Sequence, residues 1–328
     1  MTEVRVHRAA GVLVIAPAGA PTVLDGAPAL GVLVLEVAGG HLSWELTGAQ
    51  RLPAAVLDDT DAAADWLWAL YGEAATLAVA DLRPGPVDAE PARPELLSHA
   101  WRLAYAHWAS RWWPASTIDG IAALDPDLLR ADIAELTEAC EQLVDGSDAE
   151  TDPPAVTVAV GSRDDYALAA GGESGGAGLT VARGVGGWDW RRCPPGLLDA
   201  SERAVSWEVT RETGATLVTV RAAAAPDVRA HVPIPLRPHA FLDSTEIALN
   251  LVGDTWVGES PIAAESVTRV EVRVPGVGWA VDGDETGTRR ALRDFARRRL
   301  DRATDPDAGG FDAPLPAEIA AAATDTDF

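Results

Sequence analysis

The sequence GGESGG places Ser174 in the pattern G-x-S-x-G, the spacing that presents a nucleophilic serine in many hydrolases. Such a serine needs a base to take its proton and an acid to orient that base. The candidates follow it along the chain, with Asp199 or Asp227 as the acid and His231 or His239 as the base. The glycines lead into LTVARG, however, which is typical of a strand, whereas a nucleophile elbow leads into a helix. We therefore expect a glycine-rich loop, and hydrolysis is the alternative hypothesis.

A second candidate is the acidic run DDTDAAAD, in which Asp58, Asp59 and Asp61 stand close together. Carboxylate oxygens could bind a divalent cation, but acidic side chains are also common where a helix begins. We expect a solvated helix start and keep the metal site as the alternative. No cofactor is expected, since the sequence has no phosphate-binding loop and no dinucleotide fingerprint between a strand and a helix.

Aromatic residues are concentrated in HAWRLAYAHWASRWWPAS, residues 99–116, which holds four of the chain's twelve tryptophans. At about 100° per residue, one face of a helix would carry nearly all of the large side chains. These are Leu97, Trp101, Tyr105, Trp108 and Trp112. Such a stripe predicts a buried face. Trp113 lies about 120° from the centre of the stripe and directly precedes a proline, which biases its backbone out of the helix. We expect Trp113 to be an exposed partner contact.

Positive charge is concentrated in RRALRDFARRRLDR, residues 289–302, which carries seven arginines and two aspartates. Its apolar residues recur at helical spacing, so the segment is an amphipathic helix. The helix could dock on its own domain and pair with nearby acids, bind an acidic partner, or touch an anionic membrane surface. For the second case the predicted contacts are Arg290, Arg293 and Arg297.

The patterns in the first half of the chain predict a mixture of strands and helices. GVLVLEVAGGHLSWELTG predicts a hairpin that turns at Gly39 and Gly40. Gly72 should end a helix that begins near residue 60, and TLAVADL, residues 76–82, predicts a strand. Two helices should follow, the aromatic one ending at Pro114 and the other spanning 127–144.

The second half has short β-type runs, and a final helix over 288–303. We therefore expect an α+β protein, with tryptophan-rich helices in the N-terminal domain and an antiparallel, sandwich-like C-terminal domain that ends in the basic amphipathic helix. The expected divisions are a mixed domain over 1–145, a linker over 146–155, a β-rich domain over 156–303 and a mobile acidic tail over 304–328.

Composition excludes several classes of function. The chain of 328 residues has a net charge of −24, which disfavours nucleic-acid binding. All 26 basic residues are arginine, so chemistry that needs a lysine is excluded. No signal peptide or transmembrane run is evident, and Cys140 and Cys193 lack the spacing of a zinc or redox motif. We expect a cytoplasmic protein, with the arginine-only composition typical of high-GC bacteria.

Each catalytic pattern fails in its context, whereas aromatic and charged surfaces remain. The sequence therefore favours a non-catalytic protein-interaction or adaptor module of a larger complex, with a protein partner. A small-molecule binder is a further alternative, because the aromatic helix could line a pocket through Trp101, Tyr105 or Trp108.

Overall fold

The computed structural model describes residues 2–25, 30–144, 179–212, 215–242, 245–262, 267, 269–278 and 285–324. These residues form runs of strands in antiparallel sheets and runs of helices, which confirms the mixed α+β class. None of the described helices is long and apolar enough to cross a membrane.

The first sheet has the spatial order β3-β4-β5-β2-β1-β6 and is antiparallel throughout. Its strands are β1 (Thr2–Ala9), β2 (Val12–Pro17), β3 (Val32–Val37), β4 (Gly40–Glu45), β5 (Ala54–Leu57) and β6 (Gly85–Ala89). The predicted hairpin is β3–β4, in which Val37 pairs with Gly40 across a two-residue turn. Gly39 has φ of 73°, a left-handed conformation that glycine adopts without steric cost.

Helices α1 (Ala64–Tyr71) and α2 (Glu73–Ala80) follow β5 and meet at Gly72. Gly72 ends α1 as predicted, with φ of 82°. The predicted strand over 76–82 is wrong, because those residues belong mainly to α2. A short apolar run does not distinguish a strand from a helix by periodicity, and its alanines favour a helix.

Helix α3 (Pro94–Trp112) carries the aromatic stripe. Trp101, Tyr105 and Trp108 are buried as predicted, and their rings stack in sequence with centroids 5.3 and 5.9 Å apart. The indole Nε1 of Trp108 donates to the carbonyl of Leu30 at 2.7 Å, which ties α3 to the first sheet. The second predicted helix is divided at Cys140 into α4 (Pro126–Ala139) and α5 (Glu141–Val144).

Two further antiparallel sheets are formed by the second half of the chain, in the orders β12-β13-β9-β8-β7 and β11-β10-β14. Their strands are β7 (Leu179–Gly186), β8 (Val205–Glu212), β9 (Ala215–Ala223), β10 (His239–Leu242), β11 (Thr245–Ala248), β12 (Asn250–Val252), β13 (Thr255–Pro261) and β14 (Glu271–Arg273). The predicted sandwich-like packing of these sheets stays a prediction.

The predicted basic helix is α6 (Thr286–Ala303), and a further helix, α7 (Pro316–Thr324), follows it. Helix α7 packs on α4 and α6. Its Glu318 is fully buried and forms an ion pair with Arg299 of α6 at 2.6 Å. The segment from residue 304 was expected to be a mobile tail, whereas in the structure it ends in a helix that packs on the rest of the chain as far as residue 324. Pro316 at the first helical turn and the alanine run after it are the sequence signals that indicate this helix.

Buried side chains from both halves of the chain belong to one hydrophobic cluster. Phe295 of α6 makes edge contacts with the rings of Tyr105 and Trp108, at 5.9 and 6.2 Å between centroids. The basic helix, expected to belong to the C-terminal domain, thus packs on the aromatic helix of the N-terminal half. The predicted linker, 146–155, lies outside the described residues.

Candidate functional site

A cleft of about 1270 Å³ opens where the C-terminal end of α3 and the start of α4 face two segments of the second half of the chain. Those segments are 188–200 and 225–236. Most of the side chains that line the cleft are aromatic, aliphatic or proline, with arginines and histidines among them. It is therefore an apolar groove with polar groups, the general character of a binding site.

Four tryptophans line the cleft. Trp188 and Trp190 are almost fully buried and form its inner surface, with ring centroids 6.5 Å apart. Trp112 and Trp113 are half-buried and offer part of their rings to a ligand. The guanidinium carbon of Arg111 lies 4.9 Å from the centroid of the Trp112 ring, a cation–π contact that holds the arginine along the cleft.

Aliphatic and proline side chains complete the lining. Leu236, in a short 3-10 helix over Ile234–Leu236, is 41% exposed, and Pro233 beside it is also exposed. Pro194 and Pro195 line the cleft beside Trp190. The cleft thus carries accessible apolar side chains, and the prolines among them have almost no side-chain entropy to lose when a ligand binds.

The carboxylate of Asp199 holds the two walls of the cleft together. Its oxygens accept hydrogen bonds from the hydroxyl of Ser116 at 2.7 Å, the amide of Thr117 at 2.8 Å and the amide of Ser201 at 2.9 Å. The backbone carbonyl of Asp199 accepts from the Trp188 indole at 2.7 Å. Because Ser116 follows α3 and Trp188 lies on the opposite wall, this fully buried acid fixes the shape of the cleft.

The candidate hydrolase residues are only partly brought together. Ser174 lies outside the described residues. The carboxylate of Asp199 accepts hydrogen bonds from the backbone and hydroxyl donors described above, and no histidine is among them. His239 lies in β10, where its Nδ1 is 2.8 Å from Oε1 of Glu246. Asp227 and His231 are both exposed and both line the cleft.

The candidate metal ligands are solvated turn residues. One carboxylate oxygen of Asp59 accepts hydrogen bonds from the amides of Asp61 and Ala62 at 3.0 and 3.1 Å, a local turn before α1. Asp58 and Asp61 are exposed. Within the described part of the chain, no group of three or more potential ligands is arranged to hold a metal ion.

The two cysteines are buried free thiols, and Cys193 lines the cleft. Burial raises the pKa of each thiol to about 12. At neutral pH both therefore stay protonated, and a protonated thiol is a poor nucleophile. The cleft offers no activated cysteine among its described residues.

Trp113 leaves the helix as predicted, with φ of −57° and ψ of 122° before Pro114. It is half-buried, however, rather than exposed, since its indole donates to the carbonyl of Ala122 at 2.8 Å. The expected contact residue therefore lies in the cleft wall, and its role in binding a partner stays a proposal.

The three candidate arginines of α6 occupy different environments. Arg293 is buried and donates to Glu202 at 3.1 Å, and Arg297 donates to the backbone carbonyl of Asp119 at 3.1 Å. These contacts pair α6 with nearby acids, as the first of the three interpretations expected. They involve both halves of the chain, however, whereas that interpretation placed the helix on its own domain. Arg290 is exposed.

The wall that carries Trp188 and Trp190 was not predicted from the sequence. The stretch WDWRRCPP, residues 188–195, is as dense in aromatic and proline residues as α3. Aromatic density was the available signal. Local patterns do not predict that this stretch lies close to the end of α3, about 75 residues earlier in the chain.

No protein-family model matches the chain, and no curated protein or solved structure is significantly similar to it.

Proposed function

We propose that the protein is a non-catalytic, cytoplasmic protein-interaction module, an adaptor in a larger bacterial complex, and that it binds its partner in the aromatic cleft. The observation that carries the proposal is the convergence of four tryptophans and the exposed Leu236 on one groove. Tryptophan is enriched among the residues that supply most of the binding energy at protein interfaces. Half-buried rings in a fixed wall provide that contact area at little entropic cost.

The dimensions of the cleft favour a protein segment over a small molecule. Small-molecule sites enclose about 300–1,000 Å³ and bury most of their ligand. This groove is larger, at about 1270 Å³, and carries exposed side chains such as Leu236 along it. Trp101, Tyr105 and Trp108, the expected lining of a small-molecule pocket, lie instead in the core.

Hydrolysis stays the alternative, because Asp227 and His231 share the cleft. It depends on Ser174, which lies outside the described residues. The proposed interaction function does not require Ser174, Asp227 and His231 to act together in catalysis.

The proposal predicts that Leu236→Asp abolishes partner capture without unfolding the chain. A charge at this exposed position should cost little stability but would be desolvated against a partner. Purified wild-type and variant proteins are immobilised, exposed to a lysate of the native organism and compared by quantitative mass spectrometry. We expect at least one protein to be depleted about tenfold or more in the variant sample.

Leu77→Asp is the matched control, because Leu77 is 49% exposed on α2 and does not line the cleft. It should capture the same proteins as the wild type. Trp113→Phe serves as a second cleft variant, since it removes the indole while leaving an aromatic ring in the wall. Equal capture by the wild type and both cleft variants would rule out the cleft as the interaction site.

A further inference from the structure

The aromatic cleft has the opposite charge to the protein around it. The described ionisable side chains that line it include Arg111, Arg130 and Arg229 but one acid, Asp227, together with two histidines. The histidines left aside, the three arginines, Asp227 and Asp127, the ion-pair partner of Arg130, leave a local charge of +1. Loss of hydration lowers the pKa of His107, one of those histidines, and the guanidinium groups of the arginines are charged at neutral pH.

These arginines differ from the paired arginines of α6 in what compensates their charge. Arg289 and Arg293 both pair with Glu202 inside the chain. In the cleft, Arg111 lies over a tryptophan ring, and Arg130 pairs with the largely exposed Asp127 at 2.8 Å. An exposed pair of this kind contributes little and exchanges readily for another carboxylate.

Arg229 is exposed, and none of the described acids forms an ion pair with it. It lies in the segment 225–236 that supplies Leu236, so a cation and an accessible aliphatic side chain belong to the same wall. A ligand that satisfies both must combine an acidic group with an apolar surface.

The overall charge of −24 does not prevent such a ligand from binding. The Debye length is about 8 Å at physiological ionic strength, so a segment inside the cleft responds to the nearby arginines rather than to acids elsewhere. A long polyanion such as a nucleic acid would extend beyond the cleft and meet the acidic surface, which disfavours it.

Building on the proposed function, we infer that the cleft takes an extended segment of a partner protein in which acidic residues flank aromatic or aliphatic ones. The apolar side chains contact Trp112, Trp113 and Leu236. The carboxylates pair with Arg229 and Arg111, where Arg111 is already oriented by the Trp112 ring.

The test begins with a phage-displayed library of random dodecapeptides selected on the full chain. We expect the enriched peptides to carry Asp or Glu next to Trp, Phe, Leu or Ile. An enriched peptide is then synthesised with fluorescein, and its dissociation constant is measured by anisotropy. Arg229→Glu should weaken binding about tenfold, because one attractive charge contact becomes repulsive. Leu236→Asp should weaken it by at least as much.

Arg290→Glu is the matched control, since Arg290 is an exposed arginine of α6 that does not line the cleft. Its dissociation constant should stay within twofold of the wild-type value. If Arg290→Glu weakens binding instead and Arg229→Glu does not, the basic helix is the contact surface and the inference is wrong.

Other outcomes separate this inference from the proposed function. Enriched peptides that are neutral or basic, yet lose affinity with Leu236→Asp, would contradict the acidic partner and keep the cleft as an interaction site. Enrichment that is insensitive to Leu236→Asp, or no enrichment at all, would contradict both. A fluorescein-labelled oligo-dT of twelve nucleotides should not bind, and binding that Arg229→Glu abolishes would assign the cleft to single-stranded nucleic acid.

Discussion

Replacing Glu318 with alanine is expected to lower the free energy of unfolding by about 3–5 kcal/mol. The Glu318 carboxylate accepts hydrogen bonds from Arg299 at 2.6 and 2.8 Å, from the Tyr105 hydroxyl at 2.7 Å and from the Leu315 amide at 2.7 Å. Burial raises the pKa of Tyr105 well above its usual value, so this hydroxyl stays protonated and donates. The substitution would leave the buried cation Arg299 with only the more distant carboxylate of Asp312, at 3.9 Å.

Urea denaturation of the wild type and the variant measures this loss. The double variant Glu318→Ala/Arg299→Met should recover part of it, because it removes the unpaired charge as well. Arg83→Ala breaks an exposed ion pair and should cost less than about 1 kcal/mol. A loss for Glu318→Ala as small as that of Arg83→Ala would show that α7 is not held by this buried pair.

The second large effect is expected for Asp199→Ala, which should cost about 3–5 kcal/mol. The substitution leaves the buried Ser116 hydroxyl and Ser201 amide without an acceptor, and each such group costs about 1–3 kcal/mol. The amide of the exposed Thr117 loses the same acceptor but can bind water instead, so it adds less. Relaxation of the loop after α3 recovers part of that total.

Asp227→Ala is the matched control for this position. Asp227 is an exposed aspartate of the same cleft, so its loss should change stability by less than about 0.5 kcal/mol. Urea denaturation again gives both values. Equal stabilities for the two variants would contradict the role of Asp199 as the junction between the cleft walls.

The parts of this fold that sequence predicts are those determined by short-range periodicity. Trp101, Tyr105 and Trp108 lie on one helical face, and burial of that face follows from their spacing. Gly39 occupies a left-handed turn position that other residues adopt at a steric cost. Pro114 fixes the end of α3 in the same local way.

Where prediction failed, the deciding contacts are distant in sequence. Helix α7 is mostly alanine. Its buried Glu318 accepts hydrogen bonds from Arg299 of α6 and from the hydroxyl of Tyr105, which lies more than 200 residues earlier in the chain. Without those partners, an acidic and alanine-rich segment resembles a mobile tail.

Trp113 was expected to be exposed, because a helical projection does not include other parts of the chain that cover the end of the helix. In the structure its indole donates to the carbonyl of Ala122.

The cleft itself is a product of tertiary structure. Its walls come from the end of α3 and from two segments of the second half of the chain, 188–200 and 225–236. The aromatic density of each segment is visible in the sequence, but their meeting is not, and Asp199 joins one wall to the loop after α3. Helix α6 concentrates arginine in the sequence, yet much of its charge is paired within the chain. Arg111 and Arg229, far apart in sequence, both line the cleft.

Site-specific photo-crosslinking tests most directly whether the cleft binds a protein partner. A benzophenone amino acid is placed at Leu236, in the cleft, and in a second protein at Leu77, outside it, and each is irradiated in a lysate of the native organism. The proposal predicts a discrete crosslinked protein from position 236 and none of that species from position 77. In that protein the crosslinked peptide should carry acidic residues beside aromatic or aliphatic ones. The same crosslinked species from both positions, or none from position 236, would contradict it.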